Sequence, residues 1–212
     1  MHAKRSGRKP SARKKLIVAA YTVMGAKGLD GCSIVDIIEQ AGVGVGSFYN
    51  HFSSKEDLAK AVFAERAEEL GATLERVALM SDNIAAATCY AFRRLIEEVE
   101  LDALWASFIV QLEPSMQMLD GLLRDHARIG LRSGVTSGML SISDVETGIT
   151  AFHAVMVAVA KAMLAGQISS GQAHRASLFG LRMFGVQEAE AVRLSSLSMS
   201  ELRQTLKVRS LG

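Results

Sequence analysis

Apolar residues recur at helical spacing from residue 12 onward. The first run predicts a helix over 12–25 that ends in the glycine-containing segment 25–31. Its apolar positions are Leu16, Ile17, Ala20, Tyr21 and Met24. Ser33 is of the residue type that caps helices, and Asp36 follows three residues later. This pair predicts a short second helix over Ile34–Gln40.

Two more elements complete the N-terminal quarter of the chain. A turn is predicted at 41–44, followed by a short helix over Val45–His51. Ser53 and Glu56 have the spacing of a capping box, in which each residue satisfies a backbone N–H of the other. They predict a fourth helix that runs to about Leu70.

The rest of the chain consists of further runs with the helical period. No segment alternates apolar and polar residues over enough positions to predict a strand, so the predicted fold is all-α. Ser143 and Glu146 form another predicted capping box. The helices of this part are predicted at 73–80, 83–99, 102–112, 115–133, 143–166, 171–184, 187–194 and 200–207.

The elements over 33–52 have the order of a helix-turn-helix. Such a unit needs a first helix that packs, a turn containing glycine, and a second helix exposed enough to enter a major groove about 12 Å wide. Phe48 and Phe52 are expected to pack inward, with the helix over 12–25 as the base. The three helices therefore predict a DNA-binding domain.

Charge is distributed unevenly along the chain. The net charge is +2, yet residues 1–60 hold ten Lys/Arg and five Asp/Glu, against fourteen and seventeen in the remainder. Residues 1–9 are expected to form a flexible basic arm whose Arg8 and Lys9 follow the DNA backbone or enter a minor groove. The alternative is a tail that only increases solubility.

Several other classes of protein are disfavoured. The two cysteines, Cys32 and Cys89, cannot form a disulfide framework, and the five histidines lack the spacing of metal ligands. No cofactor, metal or catalytic cluster is therefore predicted. The apolar stretch 149–166 is short for a bilayer and interrupted by charge, and no apolar segment follows the basic N-terminus. A cytoplasmic protein without a membrane segment is expected.

One stretch of the chain closely resembles a known DNA-binding domain. The N-terminal domain of the TetR family of transcriptional regulators is similar to the pattern Ser33-Ile34-x-x-Ile37-x-x-x-Ala41-Gly42-Val43-x-x-Gly46-Ser47-Phe48-Tyr49-x-His51-Phe52-x-x-Lys55-Glu56-x-Leu58. The resemblance implies a homodimeric repressor with one helix-turn-helix per subunit at 10–55. It also implies a helical domain at 56–212 that binds a small effector and dimerises.

The same resemblance implies a set of DNA contacts. Phosphates would be contacted by Ser33, Tyr49, His51 and Lys55, and base edges by Val45, Gly46, Ser47 and Asn50. Gly44 has no side chain and Val45 can contact only a thymine methyl, so hydrogen-bonded readout would depend mainly on Ser47 and Asn50. The alternative for Tyr49 is an aromatic residue that only packs.

The C-terminal domain would both dimerise and bind the effector. Small and apolar residues in two helices predict a four-helix interface across a two-fold axis. They are Ala151, Ala154, Ala158, Ala162, Ala173, Ala176, Leu181 and Phe184. For the ligand site, aromatic and methionine residues predict an adaptable apolar pocket, with two polar candidates among them. They are Phe92, Trp105, Phe108, Met116, Met118, Arg128, Phe152, His153 and Met156. Both sets could instead belong to the protomer core.

Two other functions are consistent with the sequence. A structural DNA-bound protein without an effector would have an interior filled by side chains, with no cavity of a few hundred Å3. An all-α enzyme with an incidental basic tail would need a nucleophile, metal or acid–base cluster, and the sequence shows none. The leading hypothesis is a repressor released from operator DNA by an apolar or amphipathic small molecule.

Overall fold

The chain folds into α-helices. A computed structural model describes residues 10–106 and 113–206, and for 113–123 the backbone alone. Within these ranges no β-strand is present, as the sequence predicts. The chain divides into two compact units, the first ending at Phe63 and the second beginning at Ala64.

The first unit contains three helices and the beginning of a fourth. They are α1 (Ala12–Lys27), α2 (Ile34–Ala41), α3 (Val45–Tyr49) and the first turns of α4 (Lys55–Met80). Its core includes Leu16, Ile37, Phe48, Leu58 and Phe63, each with essentially no exposed surface. Helix α1 packs against α2 and α3, as predicted for the base of a helix-turn-helix.

Capping side chains fix the ends of these helices. Ser33 accepts a hydrogen bond from the Asp36 N–H, and the Asp36 carboxylate accepts from the Ser33 N–H in return. Helix α2 ends at Gly42, which adopts the left-handed conformation with φ 63°. The predicted Ser53–Glu56 capping box is wrong by one residue: Ser54 accepts from the Asp57 N–H, and the Asp57 carboxylate accepts from the N–H and hydroxyl of Ser53.

Helix α4 is much longer than predicted. The sequence predicts two helices, ending at about Leu70 and beginning at 73, because glycine at 71 disfavours a helix interior by about 1 kcal/mol relative to alanine. The structure continues the helix without interruption to Met80. The predicted domain boundary at residue 55 also differs from the observed one, because Leu58, Val62 and Phe63 are buried within the first unit.

The second unit is a helical bundle around α5 (Ile84–Leu101). Residues 103–106 are also helical. The later helices are α6 (Glu113–Thr136), α7 (Val145–Leu164), α8 (Ser170–Met183), α9 (Glu188–Ser196) and α10 (Met199–Thr205). Helix α5 packs against each of α6 to α10, which makes it the central element of the bundle. Its N-cap is Asn83, whose side chain accepts from the Ala86 N–H.

An aromatic cluster forms part of the second core. The Phe152 ring stands edge-on to Phe92 at 5.2 Å and is stacked with Phe184 at 5.6 Å between ring centres. The N-cap of α7 is Asp144, which accepts from the N–H groups of Glu146 and Thr147, so the predicted Ser143–Glu146 capping box is wrong. The carboxylate of Asp144 offers two acceptor oxygens and is favoured at the positive end of the helix dipole.

The contact between α5 and α8 depends on a glycine. A Cβ atom added at Gly180 would lie 2.8 Å from Phe92 Cδ2, a distance at which the ring must move. We expect Gly180→Ala to lower the free energy of unfolding by about 1–3 kcal/mol, as overpacking does. Thermal denaturation measures the effect. Gly171→Ala, on the same helix but next to open space, is the control and should leave the melting temperature unchanged or raise it.

Candidate DNA-binding surface and ligand cavity

Helix α3 presents the predicted recognition residues on the surface of the first unit. Val45 is 56% exposed and Tyr49 58%, while Phe48 and Phe52 are buried beneath them. Gly46, Asn50 and His51 are exposed and Ser47 is half-buried. The Tyr49 ring stands edge-on to Phe48, with 5.2 Å between ring centres. This packing restricts the ring while the side chain remains accessible.

Ser33 is arranged differently from the prediction. Its N–H and its hydroxyl both donate to the Asp36 Oδ2 atom, at 2.9 Å and 2.7 Å. The same carboxylate receives a 2.6 Å ion pair from Lys27 Nζ. Hydrogen bonds from Lys27 and Ser33 hold the pKa of Asp36 far below its usual range, so the group is an anion at neutral pH. The donors predicted to contact phosphate are therefore already used within the capping box.

Lys55 also has a structural role that the prediction missed. Its Nζ donates to the Leu29 carbonyl at 2.7 Å and to the Cys32 carbonyl at 3.0 Å. Two of its three N–H donors are thus used to hold the start of α4 against the loop between α1 and α2. A phosphate contact from Lys55 stays a prediction and would use the remaining donor. Arg8 and Lys9 lie outside the described residues.

A cavity of about 80 Å3 lies inside the second unit. Its walls come from helices α4 to α7 and from Phe184, the residue that follows α8. Most of the lining is apolar or small, and the polar side chains are Glu75, Thr88, His126 and His153. Small residues at 71, 78, 87, 91, 127 and 130 leave the space open. The volume is below the few hundred Å3 expected from the sequence.

The cavity includes only part of the predicted ligand set. Phe152 and His153 line it, and Phe92 packs behind Phe152. Trp105 and Met156 are buried but do not line the cavity. Phe108 lies outside the described residues, as do the side chains of Met116 and Met118.

Arg128 was predicted as a polar ligand contact and is instead held elsewhere. Its Nε donates to Glu146 Oε1 at 2.6 Å, and its Nη2 donates to Glu146 Oε2 at 3.0 Å. The hydrogen bonds to Glu146, followed by the one to Asp125, keep the pKa of this guanidinium above its usual value. Arg128 is not among the residues that line the cavity, so this cavity does not support the assignment, which stays a prediction.

The sequence analysis missed a polar cluster at one end of the cavity. His126 Nδ1 is hydrogen-bonded to Glu75 Oε2, and His126 Nε2 lies 3.4 Å from Glu68 Oε1. Burial lowers the pKa of His126, but the hydrogen bonds to Glu75 and Glu68 outweigh it, so the pKa lies above its usual value. A Cβ atom at Gly71 would lie only 2.3 Å from His126 Cδ2. Glycine at 71 therefore makes room for this ring.

The predicted dimer-interface residues fall into two groups. On α7, Ala154 and Ala158 are exposed, and Ala151 and Ala162 are half-buried. The second group lies within the protomer core and cannot contact a partner, so that half of the prediction is wrong. It comprises Ala173, Ala176, Leu181 and Phe184, all less than 9% exposed.

The register of α8 explains the error. The helix packs against α5, α7 and α9, which bury the residues named above. Its outward face presents Phe179, which is 70% exposed, flanked by Arg175 and Arg182. Ala154 and Ala158 of α7 and Phe179 of α8 are thus apolar side chains that the protomer leaves exposed.

Helix α7 is long and apolar enough to cross a membrane by length and composition alone. Within the described ranges it is the single such helix, over Val145–Leu164, and 28% of its most apolar window is buried. One helix of this kind is weak evidence for a membrane span, because a helix at a protein interface has the same composition.

These features are those of a DNA-binding regulator with a separate helical domain. The model for the N-terminal domain of the tetR family of bacterial regulatory proteins matches residues 16–62. The tetracyclin repressor-like C-terminal domain matches residues 83–196, more than half of the chain. The chain therefore belongs to the TetR family and is a DNA-binding transcriptional regulator of the helix-turn-helix type.

Curated relatives match over part of the chain. The uncharacterized regulator YvdT of Bacillus subtilis is 47% identical over 49 residues, 23% of this chain and 25% of YvdT. The regulator BetI of Brucella suis is 29% identical over 126 residues, 58% of this chain and 63% of BetI. The matches thus span a quarter of the one relative and less than two thirds of the other.

Solved structures match over almost the full length. RolR in complex with resorcinol is 30% identical, with a TM-score of 0.77 over 90% of this chain and 96% of RolR. FadR of Bacillus subtilis in complex with stearoyl-CoA is 17% identical, with a TM-score of 0.60 over 86% of this chain and 97% of that one. The second likeness shows the fold alone.

Proposed function

We propose that this protein is a homodimeric repressor that a small molecule bound in the second unit releases from its operator. The observation that carries the proposal is the position of α4. Its first turns belong to the compact unit that presents α3, and Gly71, Leu74, Glu75 and Ala78 of the same helix line the cavity. A ligand in the cavity would therefore contact the helix that continues into the DNA-binding unit.

The exposed face of α3 supports the DNA-binding half of the proposal. Tyr49, Asn50 and His51 are accessible at the end of a helix whose other face is anchored by Phe48. Tyrosine and asparagine donate hydrogen bonds to phosphate oxygens, and asparagine also pairs with the edge of adenine in the major groove. The basic residues 1–9 would add sequence-independent attraction.

The exposed apolar surface on α7 and α8 supports the homodimer. A stripe of small residues lets two helices approach closely, and an exposed aromatic ring supplies buried area. In the DNA-competent state of a dimer, the two recognition helices would lie one or more turns of DNA apart, which is about 34–36 Å for one turn. Regulators of the TetR family are dimers, and these residues are the ones that we assign to the interface.

The cavity supports the effector half of the proposal. RolR, which matches over 96% of its length, was crystallised with resorcinol. The effector acts by shifting a population between two states, one competent and one incompetent for operator binding. It can do so only to the extent that its affinity differs between the two states.

The test is binding of the purified full-length protein to the DNA upstream of its own gene, titrated across salt concentration. Retardation of this fragment, but not of a shuffled fragment, at physiological salt would support the repressor. Binding that is equal for both fragments and that falls steeply with salt would contradict it. Operator affinity that no cavity ligand alters would leave the DNA-binding half and overturn the effector half.

A specific observation also favours a DNA-bound structural protein without an effector. The cavity is small, about 80 Å3, where drug-sized ligands use several hundred Å3. The two candidates differ in the shuffled-fragment control, because a structural protein would bind both fragments with similar affinity. The match to both TetR-family domains makes the repressor the better supported of the two.

A further inference from the structure

The cavity in the second unit is large enough for a single aromatic ring. Its volume is about 80 Å3, and one water-sized atom occupies roughly 10–15 Å3 of such space. Roughly five to eight heavy atoms therefore fit without movement of the walls. The Phe152 and Phe184 rings, stacked at 5.6 Å, both line the cavity and offer apolar surface to a flat ligand.

The polar lining selects among one-ring molecules by charge. None of the described lining residues is lysine or arginine, and Glu75 lies in the wall with Glu68 near its partner His126. A ligand carboxylate would lose its hydration and would find neither lysine nor arginine in this lining, and the imidazole of His126 is already paired with Glu75 and Glu68. Benzoate and similar anions are therefore disfavoured. A ligand cation would have to compete with His126 for Glu75.

Two side chains in the lining can accept a hydrogen bond from a ligand, and the first is the carboxylate of Glu75. His126 contacts the Oε2 atom, while the Oε1 atom has no partner among the described protein groups. The hydroxyl of Thr88, also in the lining, donates to its own helix at the Ile84 carbonyl and can accept one more hydrogen bond. Both groups call for a ligand that donates rather than one that accepts.

We propose that the effector is a neutral phenol with a single aromatic ring. Its O–H group donates a hydrogen bond to the Glu75 carboxylate. His126 is a positioning residue, because its bond to Oε2 holds the carboxylate in place, and Gly71 makes room for the imidazole ring. The ring of the ligand packs against Phe152 and Phe184. This inference rests on the proposed function, since it names the effector class of the same cavity.

Calorimetry on the full-length protein without DNA tests the ligand class. The probes are phenol, fluorobenzene and benzoate: fluorobenzene matches phenol in size but has no donor, and benzoate carries the disfavoured charge. We expect phenol to bind at least tenfold more tightly than fluorobenzene, and benzoate not to bind at the same concentrations. Equal affinity for phenol and fluorobenzene, binding of benzoate, or no binding of phenol would overturn the proposal.

Three variants test the site. Glu75→Gln keeps the shape but removes the charge, so the ratio of phenol to fluorobenzene affinity should fall about five- to tenfold. Ala91→Leu fills the cavity and should abolish binding of both probes. Glu69→Gln makes the same chemical change on the same helix at a side chain that is 66% exposed and outside the cavity, and it should change nothing. An unchanged ratio in a folded Glu75→Gln protein contradicts the assignment.

The ligand class and the repressor can fail separately. Phenol that binds the free protein without weakening operator affinity would leave the ligand class and overturn the release mechanism. If calorimetry shows that phenol does not bind, the ligand class is overturned. Specific operator binding by the same protein would still support the DNA-binding regulator.

Discussion

Replacement of Tyr49 by alanine is expected to weaken operator binding by a factor of about a hundred or more. Tyr49 is 58% exposed at the end of α3, and its hydroxyl is the donor that we assign to a DNA phosphate. A hydrogen bond to a charged group contributes about 1.5–3 kcal/mol, and a dimer would lose two of them. Fluorescence anisotropy with a labelled operator fragment measures the affinity.

Tyr49→Phe separates the hydroxyl from the ring. It keeps the edge-on contact with Phe48 at 5.2 Å and removes only the oxygen. We expect this variant to show most of the affinity loss of Tyr49→Ala with an unchanged melting temperature. Wild-type affinity in both variants at physiological salt would mean that Tyr49 only packs. Loss in Tyr49→Ala alone would assign the effect to the ring.

Phe179→Asp is expected to convert the dimer to a monomer and to reduce operator affinity at least a hundredfold. Phe179 is 70% exposed in the protomer. An aromatic side chain removes about 150–250 Å2 of surface from water when it is buried. A two-fold interface would bury two such rings, and the aspartate would place two unpaired carboxylates there instead. Sedimentation at several protein concentrations measures the oligomeric state.

Leu101→Asp is the matched control for Phe179→Asp. Leu101 is 78% exposed at the end of α5 and belongs to neither α7 nor α8, so the same substitution removes an equally exposed apolar side chain elsewhere. This variant should remain dimeric and bind the operator normally. A monomeric wild-type protein, or a Phe179→Asp variant that stays dimeric, contradicts the proposed interface.

Local signals were sufficient to predict the first unit. The spacing of Phe48 and Phe52, the glycine at 42 and the Ser33–Asp36 pair all act within a few residues, and the structure confirms their positions. What the sequence could not show was competition for the same donors. Ser33 and Lys55 have the right types for phosphate contacts, yet Asp36 and two loop carbonyls already use them.

The second unit was predicted less completely because its important contacts join distant residues. Gly71 suggests the end of a helix when only its neighbours are considered. The structure instead shows that a glycine is needed at 71 because the ring of His126, fifty-five positions later, lies where a Cβ atom would be. The polar cluster of His126, Glu75 and Glu68 depends on the same long-range contact, so the sequence did not predict it. In α8, the helical period was correct, but it could not tell which face the core of the protomer would cover.

The exposed stripe on α7 with Phe179 has a consequence for gene dosage. If the DNA-competent species forms only when this stripe is covered by a second copy, the amount of that species rises with the square of the protein concentration while most chains are single. Operator occupancy then responds more steeply to synthesis rate than it would for a repressor that binds as a single chain. A promoter under such control would switch over a narrower range of expression.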